Sequence, residues 1–439
     1  MRRALLATVL AFLAFAPASP SWAQTAPTLP AAKPDQVGMS AQKLARISEV
    51  LKQEIDQGKL PGAVVLVARK GKLVYADALG FQDKGAGTPM SRDTIFRIYS
   101  MTKPLASVAA MMLVEEGRIQ LTDPVGKFLP GFDKMTVSVP AIDPVTSRVT
   151  YNLVPASRAM TVQDLLRHTS GLAYGEITQN APVKDAYTKA NVFKPGFDYE
   201  SRDMTSAEQV ERMVKAPLAQ QPGTIWEYSL SVDVLGRVVE AASGMPLERF
   251  LDERLFKPLK MNDTAFYVPS EKMGRLAQAM PVDPASGNPN RLIDVSTPPK
   301  NASGGAGAVS TAGDYLRFCQ AMLNGGQLDG ARVLSRTTVQ LMTSDHLGTR
   351  INTPVTPGEL LLGTPGYTFG LGFAVRQGSG VAGVPGSAGE FMWAGYAGTY
   401  FWADPKEEIC GVYMTQAPSP IRAYYRKLFK QLVYQAVND

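Results

Sequence analysis

Ser100 and Lys103 stand three residues apart in the stretch IYSMTKP, residues 98–104. A serine hydroxyl within reach of a lysine amine can act as a nucleophile beside its proton acceptor. If a helix begins here, the two share a face, because residues three apart are helix neighbours. Its N-terminal dipole would favour a developing alkoxide, and burial favours the neutral form of a lysine. The spacing alone decides nothing, since Ser40 and Lys43 repeat it. Ser40 reads as the N-cap of a helix carrying Leu44, Ile47, Val50 and Leu51 on one face. A capping serine beside a solvated lysine is the competing reading of Ser100.

A nucleophilic serine needs a base, and the chain has only two histidines, His168 and His346. A tyrosine is the alternative. Tyr228 lies in PGTIWEYSLSVDVLGRVVEAASG, between a Pro222-Gly223 turn and an amphipathic helix containing Val234, Leu235, Val238 and Val239. Such loop-to-helix junctions project polar side chains into clefts. A phenol ordinarily titrates near 10, and a neighbouring ammonium favours its ionised form. Taken alone, Tyr228 reads more readily as a packed aromatic with a bonded hydroxyl.

The elements that must position these groups can be read from the pattern. TIFRIY before Ser100 is strand-like, and Leu105, Val108, Ala109 and Met112 after it form an apolar helical stripe. Pro104 fits a first helical turn, whose N–H groups lack intrahelical partners. AVVLVARKGKLVYADALG (63–80) reads as a hairpin about Lys70-Gly71. Residues 120–300 read as helices broken by Pro/Gly loops, with weak strand signals. A Gly-rich run (303–314) opens a further helix, followed by strand-like runs at 368–375, 399–405 and 409–414 and a closing helix from about 420. The expectation is an α+β fold, an α/β sandwich whose antiparallel sheet is built from both ends of the chain. The α/β lobe is expected over about 38–118 and 303–439, with a mostly helical inserted lobe over 119–302.

Residues 1–23 read as a secretory signal: Arg2 and Arg3, an apolar run from Ala4 to Ala16, and Ser21-Trp22-Ala23 as a cleavage site. The run is well short of the ~20 residues that span a bilayer. The expected product is an exported protein, periplasmic or secreted, cleaved after Ala23, with no integral membrane span and a flexible leader over 24–37. The net charge of +6 is scattered among acids rather than gathered in a patch, which argues against a nucleic-acid partner. Cys319 and Cys410 lie on apolar stretches and read as buried thiols rather than a bridge. No cluster of histidine and cysteine offers a metal site, so no cofactor is expected. No G-x-S-x-G elbow is present, which removes the α/β-hydrolase alternative.

Four stretches together resemble the serine β-lactamase and penicillin-binding-protein superfamily, and within it class C β-lactamases and family VIII carboxylesterases. They are Ser100-Met101-Thr102-Lys103, LLRHTSGL (165–172), Pro222-Gly223 through Tyr228-Ser229, and the Gly-rich run entering STAGDYLRF. The likeness runs from about residue 38 to the C-terminus. It implies Ser100 as nucleophile, Lys103 as its proton-sharing partner, and Tyr228 as base and then acid. It also implies Trp393-Ala394-Gly395 in place of the family's Lys-Thr-Gly, with the N–H groups of Ser100 and Tyr396 as oxyanion hole. His168 falls in a stretch that is structural in relatives and is expected buried or capping, whereas His346 is expected in a loop or at the surface.

Two departures bear on substrate. Tyr228-Ser229-Leu230 stands where lactamases have Tyr-x-Asn, and Trp393 stands where they have lysine. Leu230 and Trp393 cannot hold an amide or attract a carboxylate, so the expected substrate is a small-molecule, short-chain carboxylic ester. The alternatives are a β-lactamase or D-amino-acid peptidase, and a non-catalytic penicillin-recognising sensor.

Overall fold

The computed structural model describes residues 29–192 and 201–439; the proposed signal segment lies outside them. In chain order the elements are α1 (Ala41–Asp56), β1 (Gly62–Arg69), β2 (Lys72–Asp83), β3 (Thr88–Pro89), β4 (Ile95–Arg97) and α2 (Thr102–Glu115). Next come β5 (Thr136–Ile142), β6 (Val149–Pro155), α3 (Val162–Leu166), α4 (Ala181–Lys189), α5 (Ser206–Met213), α6 (Ser231–Ser243) and α7 (Leu247–Leu251). β7 (Val309–Thr311), α8 (Ala312–Leu323), β8 (Gln327–Leu328), β9 (Ala331–Arg332), α9 (Arg336–Met342) and α10 (Pro357–Leu362) follow. The chain closes with β10 (Tyr367–Phe369), β11 (Ala374–Arg376), β12 (Phe391–Ala394), β13 (Tyr400–Asp404), β14 (Ile409–Met414) and α11 (Arg422–Tyr434).

One eight-stranded sheet, in the order β10-β11-β12-β13-β14-β1-β2-β3, joins the two ends of the chain. All its pairings are antiparallel, as expected, and β14 and β1, from opposite ends of the chain, are neighbours in it with Val64 opposite Met414. The β1–β2 hairpin turns at Lys70 and Gly71, both at positive φ, which suits a two-residue turn that matches strand twist. α1, α8 and α11 pack on the sheet. Every residue of α2 from Thr102 to Leu113 is buried. Burial of its Leu105, Val108, Met111 and Met112 stabilises the fold by about 1.5–3 kcal/mol for each side chain, so the start of α2 is rigidly held.

Three features add to the expectations. The run 368–375 is two short strands, because Gly370 to Gly372 turn the chain and Gly370 N–H bonds Phe373 O at 2.8 Å. The inserted segment holds a two-stranded sheet, β5 with β6, beside its helices. Within the expected flexible leader, residues 29–37 pack against the body: Leu29 and Val37 are buried, and Ala32 N–H bonds Leu73 O at 3.0 Å. The two apolar side chains, the edge of β2 at Leu73 and the Arg69 guanidinium, which donates to Val37 O at 3.1 Å, hold that segment.

Cys319 and Cys410 are free, buried thiols. No described helix is long and apolar enough to cross a membrane.

Candidate active site

Ser100 sits in a single 3-10 turn, Tyr99–Met101, between β4 and α2. Tyr99 has a φ of 43°, a conformation uncommon for a side chain of its size. Its ring is fully buried, and its hydroxyl accepts from Ile293 N–H at 3.0 Å, which holds the strained residue in place. The turn brings Ser100 to the mouth of the site while α2 runs inward. Ser100 is 6 % exposed and Lys103, one turn on, 1 %.

Three polar groups converge on this turn. The Tyr228 hydroxyl donates to Ser100 Oγ at 2.6 Å. Lys103 Nζ reaches Ser100 Oγ at 3.4 Å, the Tyr174 hydroxyl at 2.9 Å and Gly305 O at 2.8 Å. Its three N–H bonds therefore each have an acceptor. Nζ also lies 4.6 Å from the centre of the Tyr228 ring, a cation against an aromatic face. Behind Gly305 lies the buried Asp233 carboxyl, which accepts from Ser303 Oγ at 2.5 Å. Burial pushes the Asp233 pKa up, and the Lys103 charge opposes that rise.

Tyr228 is fixed by the loop before α6. Glu227 N–H bonds His168 O at 3.0 Å and Trp226 N–H bonds Asn352 O at 2.8 Å. The Tyr228 ring packs against His168, Tyr174 and Trp393, with centroids 5.1, 5.2 and 5.6 Å away. His168 is buried, as the sequence implied. Its Nδ1 meets Ser229 Oγ at 3.2 Å, and burial holds its pKa well below the usual histidine value. It supports the tyrosine and makes no hydrogen bond to Ser100. His346 lies in the loop after α9, half-buried, with its ring nitrogens on Gln163 Nε2 at 3.1 Å and Leu341 O at 2.9 Å.

The far wall is the end of β12. A Cβ on Gly395 would lie 2.3 Å from Ile98 O and 2.2 Å from Thr399 Oγ1, so only glycine lets this edge approach the Ser100 turn so closely. Tyr396 follows, its ring 5.5 Å from that of Tyr99. Its N–H therefore belongs to the residue next to that close approach.

Of the residues expected to line the substrate site, Trp393 is fully buried and meets the site through Tyr228; Ala394 and Leu230 are buried as well. A cavity of about 440 Å³ opens instead beside Tyr228, lined by Trp226, Ile225, Tyr151, Val355, Leu360 and Glu227 among others. Neither this cavity nor Tyr174 was found from sequence. Tyr174 stands just beyond HTSGL with no spacing signal of its own, and the cavity gathers residues from four separate segments.

A serine oxygen held between a phenol and a buried ammonium, beside an apolar cavity, can be acylated and then released by water. Sheet and helices form the β-lactamase/transpeptidase fold, and the family and its esterase relatives mark the chain as a serine hydrolase acting on esters. The chain belongs to the Beta-lactamase family, whose model matches residues 47–433. It is 32% identical to esterase EstB of Burkholderia gladioli over 387 residues, 83% of this chain and 88% of that one. It is 28% identical to the lovastatin esterase of Penicillium rubens over 403 residues, 87% of this chain and 96% of that one. The solved structure of EstCE1, a hydrolase with promiscuous acyltransferase activity, superposes with a TM-score of 0.70 at 28% identity, covering 90% of this chain and 99% of that one.

Proposed function

We propose that the protein hydrolyses short-chain carboxylic esters through an acyl-enzyme on Ser100. In the reactive form Tyr228 has given up its proton and the Tyr228–Ser100 hydrogen bond is reversed, so that Ser100 Oγ attacks the ester carbonyl as its proton passes to the Tyr228 phenolate, which Lys103 stabilises. The tetrahedral oxyanion is received by the N–H groups of Ser100 and Tyr396. Its collapse expels the alkoxide, which takes the proton from Tyr228 and leaves as the alcohol. Water then attacks the acyl group, giving its proton to Tyr228, and the carboxylic acid departs as Ser100 regains its hydrogen. The observation that carries this reading is the convergence on Ser100 Oγ of the Tyr228 hydroxyl at 2.6 Å and Lys103 Nζ at 3.4 Å.

Ester preference over β-lactam or D-amino-acid peptide is supported by the residues that replace the family's carboxylate anchor. Trp393 and Ala394 are buried and carry no charge, so neither supplies the cation that would attract a carboxylate. The proposal includes export, with residues 1–23 removed as a signal; the charged and apolar segments of that stretch support it.

The test is a substrate panel: p-nitrophenyl acetate and butyrate, a long-chain homologue, a chromogenic cephalosporin and a D-alanyl peptide. The short esters are expected to show the highest kcat/KM, and Ser100→Ala to abolish their hydrolysis. Faster turnover of the cephalosporin or the peptide would replace this reading with the amide one. Substrate-independent labelling of Ser100 without turnover would point to a sensor.

A further inference from the structure

The cavity beside Tyr228 has a composition that the short-chain ester reading does not use. Its described lining is dominated by aromatic and aliphatic side chains, with Tyr151, Trp226 and Tyr228 supplying aromatic surface. Glu227 is the only carboxylate among the described lining residues, and no lysine, arginine or histidine accompanies it. Among the described residues its carboxyl forms no ion pair; burial pushes its pKa up from the ordinary carboxylate value, and the Gln220 side chain beside it opposes that rise. Its position is set by the backbone bond from Glu227 N–H to His168 O at 3.0 Å, which also fixes Tyr228 next door. An unpaired carboxylate on an aromatic wall is costly to keep, and it attracts a cation rather than an anion. Aromatic faces attract alkylammonium groups through their ring quadrupoles. Ser100 and Tyr396 do not line the cavity, whereas Tyr228 does. Tyr228 delivers the proton to the departing oxygen, so the cavity adjoins the alcohol half of the ester.

We propose that this cavity binds a cationic, amine-bearing alcohol moiety, with Glu227 as the specificity-determining charge and Tyr151, Trp226 and Tyr228 as the aromatic surround. The assignment rests on the esterase reading for its catalytic consequence but not for binding. It is a selection by charge as well as shape: the same carboxylate that attracts an ammonium repels the carboxylate of a β-lactam or a peptide C-terminus.

The experiment compares butyrylcholine with its neutral isostere, 3,3-dimethylbutyl butyrate, on the wild-type protein and on Glu227→Gln. Choline alone is titrated against both proteins by calorimetry. In the wild type, kcat/KM should favour the cationic ester by about tenfold, the scale of one partly desolvated charge contact. Glu227→Gln should bring the ratio close to one and weaken choline binding by a similar factor, and choline should compete with the neutral ester in the wild type. Equal rates on the two esters in the wild type, or a preference unchanged by Glu227→Gln, would overturn the assignment while leaving the esterase reading intact. If neither ester turns over, the esterase reading fails, and choline binding decides by itself. Binding that depends on Glu227 supports the cationic site, and no binding removes it.

Discussion

The chain holds the Ser-x-x-Lys spacing twice, and the two copies do different things. At Ser40 the hydroxyl accepts from Lys43 N–H at 3.2 Å and caps α1, while Lys43 Nζ reaches outward to Asn438 Oδ1 at 3.5 Å. At Ser100 the hydroxyl makes no cap and meets Tyr228 and Lys103. Lys103 is drawn inside, its three N–H bonds spent on Ser100, Tyr174 and Gly305. Spacing is shared; burial and imported partners are not. The difference comes from what precedes each serine. Ser40 has ordinary extended geometry, φ −88° and ψ 116°, and its side chain satisfies a first-turn N–H. Ser100 follows a residue at positive φ and lies in a 3-10 turn that makes no such cap. A hydroxyl not used for capping is available for chemistry.

The contrast can be broken first at the lysines and the tyrosine. Lys103→Ala and Tyr228→Phe should each lower kcat on a short ester by about 10²- to 10⁴-fold, the usual range for a positioned acid–base group. Lys43→Ala should stay within about twofold of wild type, as expected where no reacting group is touched. Equal losses from Lys103→Ala and Lys43→Ala in steady-state assays would show that the two copies are not distinct in the way argued. A smaller effect sharpens the other half. Ser40→Ala should leave kcat unchanged and cost about 1 kcal/mol of unfolding free energy, the typical value of a lost N-cap. Urea denaturation of the two proteins measures it, and a Ser40→Ala protein as stable as wild type would remove the capping role.

The proposed nucleophile Ser100 and its partners Lys103 and Tyr228 were legible through the family resemblance, which local pattern supports. A strand-like run precedes Ser100, a buried stripe follows it, and a turn and an amphipathic helix flank Tyr228. The central sheet was legible for a similar reason, since β1, β13 and β14 are unbroken apolar runs. What was not legible depends on contacts between distant segments. Tyr174 and Gly305 O come to Lys103 from 71 and 202 positions away. Trp393 was expected to line the substrate site, but its place in β12, opposite Phe401 of β13, buries it behind Tyr228. The β5–β6 hairpin escaped notice because its strands are largely exposed and lack a clean alternation, with Ile142, Val149 and Leu153 facing solvent. Residues 29–37 looked like a loose leader on composition, but two buried apolar side chains and the edge of β2 hold them.

The central claim is that Ser100, and not another serine of the chain, carries the acyl group. Rapid acid quench of the protein during turnover of p-nitrophenyl butyrate, followed by proteolysis and mass spectrometry of the peptides, tests it directly. The account predicts one butyryl adduct, on the peptide containing Ser100, rising in step with the burst of p-nitrophenol and absent from Ser100→Ala. Turnover with no adduct on that peptide, or an adduct on the peptide containing Ser40 or Ser229, would contradict it.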